Sequence, residues 1–125
     1  MNDPRLLLAE DDEMLASLLR YRLEKEGYLV EWVSDGRAMK ESLERTLPDI
    51  VVSDVLMPYF SGIEMVDYLR NEIKSSIPVI LISTAGNETN VLNAFELGAD
   101  DFIAKPVSPS ELMVRIHKLL KTRVA

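Results

Sequence analysis

Residues 50–62 read IVVSDVLMPYFSG, and this stretch decides the fold. Its first five residues form an apolar run that ends in Asp54, a pattern typical of a strand buried on both faces of a parallel sheet. Pro58 and Gly62 delay the next helix and predict a shaped loop. Ligands of open α/β sheets bind at the carboxyl ends of the strands, so Asp54 is expected at the mouth of a crevice.

On both sides of this strand, short apolar runs alternate with segments in which apolar residues recur every three to four positions, as in a helix. Further strands are expected at residues 5–9, 29–33, 79–82 and 101–104, with a helix after each of the five strands. Strict alternation predicts parallel βαβ units with right-handed crossovers. We therefore expect an α/β fold: a flavodoxin-like, doubly wound, five-stranded parallel sheet of order 2-1-3-4-5 with five helices.

Length and composition narrow the class of protein. The 125 residues predict a single domain spanning 1–125, with a core from about 4 to 122. No cysteine is present, which excludes disulfides and thiolate metal sites. The net charge of -7 argues against direct nucleic-acid binding by this chain. The apolar runs are too short for a membrane span and no secretory pattern opens the chain, so we expect a cytoplasmic protein without membrane contact.

Acidic residues follow two strands that the predicted topology places side by side. Glu10, Asp11 and Asp12 come after the first strand, and Asp54 ends the third. Clustered carboxylate oxygens suit Mg²⁺. Each acid alone has a simpler interpretation as a helix cap or as a favourable charge at a helix N-terminus, and Asp12 is expected to be such a cap.

Two further strand ends carry groups that could bind an anion. Thr84 follows the fourth strand and Lys105 follows the fifth. A hydroxyl and an ammonium that face carboxylates would complement the oxygens of an anionic group. Alone, Thr84 could be a cap and Lys105 a solvated lysine; together with the acids they predict one site.

From about residue 4 to residue 122 the chain resembles the receiver domain of two-component response regulators, of the CheY-like and OmpR-type kind. The resemblance rests on five motifs at the family's spacing: Glu10-Asp11, Asp54-x-x-Met57-Pro58-x-x-x-Gly62, Ser83-Thr84-Ala85, Gly98-Ala99-Asp100-Asp101-Phe102 and Lys105-Pro106.

The resemblance implies a phosphoryl-accepting signalling domain rather than an enzyme. Asp54 would accept the phosphoryl group from a sensor histidine kinase or a phosphotransfer protein. Asp11, Asp54 and the backbone carbonyl of Leu56 would bind Mg²⁺ directly, and Glu10 would act through water.

The resemblance also implies a switch. Thr84 and Lys105 would contact the phosphoryl oxygens, and Phe102 would turn inward as the Thr84 hydroxyl moves. The Lys105–Pro106 peptide bond would be cis. The surface of the fourth helix, fifth strand and fifth helix would then control a partner or an output domain.

Four residues suggest a homodimer through that same surface. Asp100, Asp101, Glu111 and Arg115 resemble those of receivers from DNA-binding regulators that pair in this way, although Val91 stands where a basic residue is expected. Whether the chain is a single-domain regulator or part of a longer protein stays open.

Two other classes of function fit the residues of the sequence less well. A phosphohydrolase of the haloacid-dehalogenase type would carry a second Asp two residues after its nucleophile, where this chain has Leu56. A flavodoxin-type binding module would need a Ser/Thr/Gly-rich phosphate loop after the first strand, where this chain has Glu-Asp-Asp. Trp32 is expected on an edge strand far from the crevice, and His117 is expected to be solvated.

Overall fold

The computed structural model describes residues 3–84 and 88–124, in which strands and helices alternate. They are β1 (Arg5–Ala9), α1 (Glu13–Lys25), β2 (Leu29–Val33), α2 (Gly36–Arg45), β3 (Ile50–Asp54), α3 (Gly62–Asp67), β4 (Val79–Ser83), α4 (Glu88–Leu97), β5 (Asp101–Ala104) and α5 (Pro109–Val124). The five strands form one parallel sheet of order β2-β1-β3-β4-β5. The predicted fold class and strand order are confirmed.

The sheet is the middle of three layers. One face of the sheet packs against α1 and α5, with contacts from Leu19 and Ile116. The opposite face packs against α2, α3 and α4, with contacts from Met39, Met65 and Ala94. β3 is buried along its whole length. Removing apolar side chains from water on both faces is the main force that holds such a sheet together. Among the described residues, no helix is both long and apolar enough to cross a membrane.

Side chains at the strand ends fix where the helices begin. The Asp12 carboxylate accepts hydrogen bonds from the backbone N–H groups of Met14 and Leu15, so the predicted cap of α1 is confirmed. Ser61 and Glu64 form a reciprocal capping box at α3. These caps satisfy amides that would otherwise lack partners at the starts of α1 and α3.

The third helix differs from the regular helix that the apolar spacing predicts. After α3 the chain continues in a wider, π-helical segment, Tyr68–Glu72, in which the Ile73 amide donates to the Tyr68 carbonyl. The guanidinium of Arg70, within this segment, donates to the carbonyls of Gly98 and Ser75 and pairs with Asp100 at 3.0 Å. The buried position of Leu69 is compatible with either helix type, so hydrophobic spacing alone does not reveal the wider turn.

Helix α2 lies directly against the loop that follows β3. The Gly36 amide donates to the Pro58 carbonyl at 2.8 Å. A Cβ atom at Gly36 would overlap the backbone and Cβ of Phe60. The approach of the two segments therefore requires glycine at this position.

Candidate functional site

The carboxyl edge of the sheet gathers the predicted site residues around one pocket. The pocket has a volume of about 190 Å³ and is lined by Asp11, Asp54, Leu56, Ile82, Ser83, Thr84 and Lys105. The parallel order of the strands explains this convergence, because β1, β3, β4 and β5 all end at the same edge.

Asp54 and Glu10 are the buried acids of the pocket. Asp54 is 3% exposed and Glu10 is fully buried. The Lys105 ammonium lies 3.1 Å from Asp54 Oδ1 and 3.5 Å from Glu10 Oε1. The other oxygen of Glu10, Oε2, accepts a hydrogen bond from the Asp12 amide. One cation thus faces two carboxylates, with negative charge in excess.

The acidic residues are arranged as a cation site would require. Carboxylate oxygens of Glu10, Asp11 and Asp54 lie within 4.8 Å of one another. Among the described residues, Glu10 Oε1 and Asp54 Oδ1 are buried and accept no well-directed hydrogen bond, although Lys105 is within ion-pair distance. Buried oxygens without donors are costly. Hard oxygens in this arrangement fit a divalent cation such as Mg²⁺.

The surroundings of Asp54 and Lys105 shift their ionisation. Burial raises the pKa of Asp54 to about 8, the proximity of Glu10 adds to the rise, and the Lys105 charge partly opposes it. Burial lowers the pKa of Lys105, but Asp54 and Glu10 outweigh this effect, so its pKa stands above the ordinary value. A bound cation would oppose the effects of burial and of Glu10 and would favour the ionised form of Asp54.

Backbone geometry places Lys105 in the pocket. Its amide donates to the Ser83 carbonyl at 2.7 Å, which extends the β4–β5 pairing past the end of β5. The Lys105–Pro106 peptide bond is cis. Thr84 and Leu56 lie at the rim, where both side chains are exposed.

Phe102 lies on β5 opposite Leu81 and is partly buried against the core beneath α4. It borders a narrow cleft with Val91, Ala94 and Phe95. The inward turn of this ring stays a prediction. Ala85, the last residue of the Ser83-Thr84-Ala85 motif, lies outside the described residues.

The residues that suggested a dimer surface are paired within the chain. Arg115 lies 2.6 Å from Asp101 and 2.8 Å from Glu111, which joins α5 to β5. Asp100 pairs with Arg70 and also accepts a hydrogen bond from the Val79 amide. These contacts stabilise the fold whether or not a second copy binds.

The prediction that Trp32 lies far from the crevice is wrong. The indole Nε1–H donates a 2.8 Å hydrogen bond to the backbone carbonyl of Glu10. Trp32 pairs with Leu8 across β1 and β2, and the accepting Glu10 carbonyl lies just beyond the end of β1. The sequence alone carries no signal for this contact, because it depends on the register of β1 and β2 and on the rotamer of the indole. His117 is exposed on α5, as predicted.

Comparison with known proteins gives a consistent result. The family model described as "Response regulator receiver domain" matches residues 6–117. The phosphate regulon transcriptional regulatory protein PhoB of Rhizobium meliloti is 36% identical over 119 residues, covering 94% of this chain and 52% of that protein. The alkaline phosphatase synthesis transcriptional regulatory protein PhoP of Bacillus subtilis is 36% identical over 117 residues, covering 94% of this chain and 48% of that protein. The chain thus spans about half the length of these relatives.

Solved structures agree with the observed architecture. The receiver domain of the Francisella response regulator 1452 superposes with a TM-score of 0.89 at 30% identity, covering 97% of this chain and 99% of that one. A CheY-like response regulator receiver domain protein from Methanospirillum hungatei gives a TM-score of 0.90, covering 97% of this chain and 96% of that one. Its 24% identity supports the fold alone.

Proposed function

Since this chain belongs to the response regulator receiver domain family, we propose that Asp54 accepts a phosphoryl group from a sensor histidine kinase or a phosphotransfer protein. The observation that carries the proposal is the position of Asp54: a buried strand-end carboxylate that faces Lys105 at 3.1 Å and lies beside a second acid. A buried group with a strongly shifted pKa inside a pocket is a candidate functional group.

The chemistry is a phosphoryl transfer between side chains. A carboxylate oxygen of Asp54 attacks the phosphorus of a phosphohistidine, an O–P bond forms and the P–N bond to the imidazole breaks. Lys105 and the Thr84 hydroxyl would contact the transferred oxygens and stabilise their charge. Bound Mg²⁺ would offset the repulsion between the carboxylate and the incoming anion. Asp11, Asp54 and the Leu56 carbonyl would hold this ion directly, with Glu10 acting through water.

Phosphorylation would act by changing the surface of the domain that a partner contacts. We propose that the Thr84 hydroxyl moves toward the phosphoryl group, that Phe102 turns inward, and that α4, β5 and α5 then bind a partner, an output domain or a second copy. The relatives are named transcriptional regulatory proteins, so gene control is the output we propose. The acidic domain itself would not bind nucleic acid. We place it in the cytoplasm as one unit spanning 1–125.

Metal binding can be tested by thermal unfolding. We expect Mg²⁺ at about tenfold above its dissociation constant to stabilise the folded domain by about 1.4 kcal/mol and to raise Tm by about 4–7 °C, because the ion binds only the folded state. Asp11→Asn should remove most of this rise. Asp12→Asn is the matched control, since it removes one charge nearby and retains a good N-cap. Equal Mg²⁺ responses in the two variants would contradict the proposed ligand.

The response to Mg²⁺ should also depend on pH. The pKa of Asp54 is raised to about 8, so below that pH a proton increasingly occupies the carboxylate that the ion needs. We therefore expect the rise in Tm to be larger at pH 8 than at pH 6. Thermal unfolding with and without Mg²⁺ at pH 6 and at pH 8 measures the two rises in Tm. A larger rise at pH 6 would argue against Asp54 as a ligand.

The lifetime of the phosphoryl group is a separate expectation. The resemblance to receiver domains implies that the residue at Leu56, which is exposed at the pocket rim, borders the path of the attacking water. The resemblance assigns the same role to position 86, but Gly86 lies outside the described residues. Neither side chain can hydrogen-bond that water, so its attack lacks positioning. We expect a half-life of minutes or longer, measured as the decay of labelled protein after donor removal.

A polar side chain at position 56 should shorten this lifetime. We expect Leu56→Asn to speed the decay, whereas Leu29→Asn, at an exposed position on the edge strand β2, should leave it unchanged. A half-life of a few seconds in the wild-type protein would refute slow hydrolysis. An unchanged rate in Leu56→Asn would mean that water access, not positioning, limits the reaction.

A further inference from the structure

Trp32, the single tryptophan of the sequence, reaches from the edge strand β2 to the acidic end of β1. Its indole Nε1–H donates to the Glu10 carbonyl at 2.8 Å, while its ring packs, partly buried, against the core on the α1 and α5 side. We infer that Trp32 is a positioning residue that sets the direction of the Glu10 and Asp11 carboxylates. This inference rests on the proposed function, because it assumes that these carboxylates hold a cation.

The carbonyl that accepts this bond belongs to the peptide unit joining Glu10 to Asp11. The pairing of β1 with both of its neighbours ends at Ala9, so the carbonyl lies just beyond the last paired residue. A peptide unit is planar and turns only about the ψ of the residue before it and the φ of the residue after it. A donor on a ring that packs against the core therefore limits both angles, and with them the directions in which the two side chains leave the backbone.

Glu10 is held at two further points. Its amide donates to the Val33 carbonyl at 3.1 Å, and its Oε2 accepts from the Asp12 amide at 3.0 Å. The remaining oxygen, Oε1, is the one that lies 3.5 Å from Lys105. Asp11 is exposed, so its carboxylate has fewer neighbours to orient it and depends more on the backbone. Loss of the indole donor should consequently affect the placement of Asp11 most.

Replacement of the indole by a phenyl ring removes the hydrogen-bond donor. Trp32→Phe retains an aromatic ring but has no N–H group. Tyr28→Phe is the matched control, because it also removes one polar hydrogen from an aromatic residue packed on the same core. Because the hydrogen bond also forms without the ion, only its part in orienting the ligands affects affinity. We therefore expect Mg²⁺ binding to Trp32→Phe to weaken about threefold to tenfold, up to the lower end of the effect of losing a contact that orients a metal ligand. Tyr28→Phe should bind like the wild type.

Isothermal titration with magnesium chloride gives the three dissociation constants. Binding to Trp32→Phe within twofold of the wild type would overturn the positioning role and leave the metal site intact. Absence of binding to the wild type would overturn both the metal site and this inference. At saturating Mg²⁺, labelling of Trp32→Phe by acetyl phosphate should return to within about twofold of the wild-type rate, since only the occupancy of the site has been weakened.

A spectroscopic measurement on the native side chain avoids any concern about folding of the variant. With one tryptophan in the sequence, a nitrogen–proton correlation spectrum contains a single indole Nε1–H signal. We expect this signal to move on addition of Mg²⁺ and to stay in place in Asp11→Asn. A signal unaffected by saturating Mg²⁺ in the wild-type protein would contradict the inference.

Discussion

Asp54→Asn should abolish labelling by acetyl phosphate, whereas the wild-type protein should take up one phosphoryl group in the presence of Mg²⁺. The amide of Asn carries no negative charge and is a much poorer nucleophile than a carboxylate, so we expect a loss of at least about 100-fold in rate. Incorporation of phosphate, followed by intact mass and by radiolabel, measures the effect. Asp67→Asn is the control for loss of one carboxylate, since Asp67 is exposed on α3.

Unfolding is not expected to explain this loss of labelling. Burial raises the pKa of Asp54 to about 8, so its charge opposes folding at pH values above its unfolded value of 3.8. A neutral Asn avoids that cost, and each pKa unit corresponds to about 1.4 kcal/mol, part of which is shared with Glu10. We expect Asp54→Asn to be about 1–3 kcal/mol more stable without metal at pH 7.5. Comparable labelling of a folded Asp54→Asn protein would refute Asp54 as the acceptor.

Gly36→Ala should cause the largest loss of stability among the substitutions considered. The added methyl group would overlap the backbone of Phe60, which cannot move away as a flexible side chain could. The loop and α2 would have to separate, which would strain the hydrogen bond from Gly36 to Pro58. We expect a loss of about 3 kcal/mol, a large part of the stability of a small domain.

Gly27→Ala provides the comparison for Gly36→Ala. Gly27 has a φ of +97°, but an added Cβ would meet nothing within 4 Å, so only backbone strain opposes the change. We expect a loss of about 1 kcal/mol. Urea unfolding at equilibrium measures both variants. Equal losses would show that the close approach of α2 to the loop is not under steric constraint.

Residue patterns predicted the fold because short apolar runs alternate strictly with segments of helical period along the chain. β3 and β4 are buried along their whole length, and inside a sheet that is covered on both faces their backbone groups are paired while their apolar side chains are removed from water. Parallel order then carries the residues after each strand to one edge. That is why Asp54 and Lys105, far apart in sequence, could be placed together in advance.

Other features depend on the reach of single side chains, which spacing does not encode. The hydrogen bond from Trp32 to Glu10 requires the exact register of β1 and β2 and one rotamer of the indole. The contacts of Asp100 likewise follow from where Arg70 emerges from the π-helical segment. The residue types predicted the site, but its supporting contacts became visible only in three dimensions.

The hydrogen bonds from Arg70 to Gly98 limit the ways in which α4 could move. Two guanidinium nitrogens bind the Gly98 carbonyl at the carboxyl end of α4, and the same side chain is anchored to Asp100 and Ser75. The ten residues of α4 span about 15 Å. Because these contacts hold the carboxyl end of α4, any rotation of the helix would be centred near Gly98. A small tilt would then give its largest displacement at the amino end.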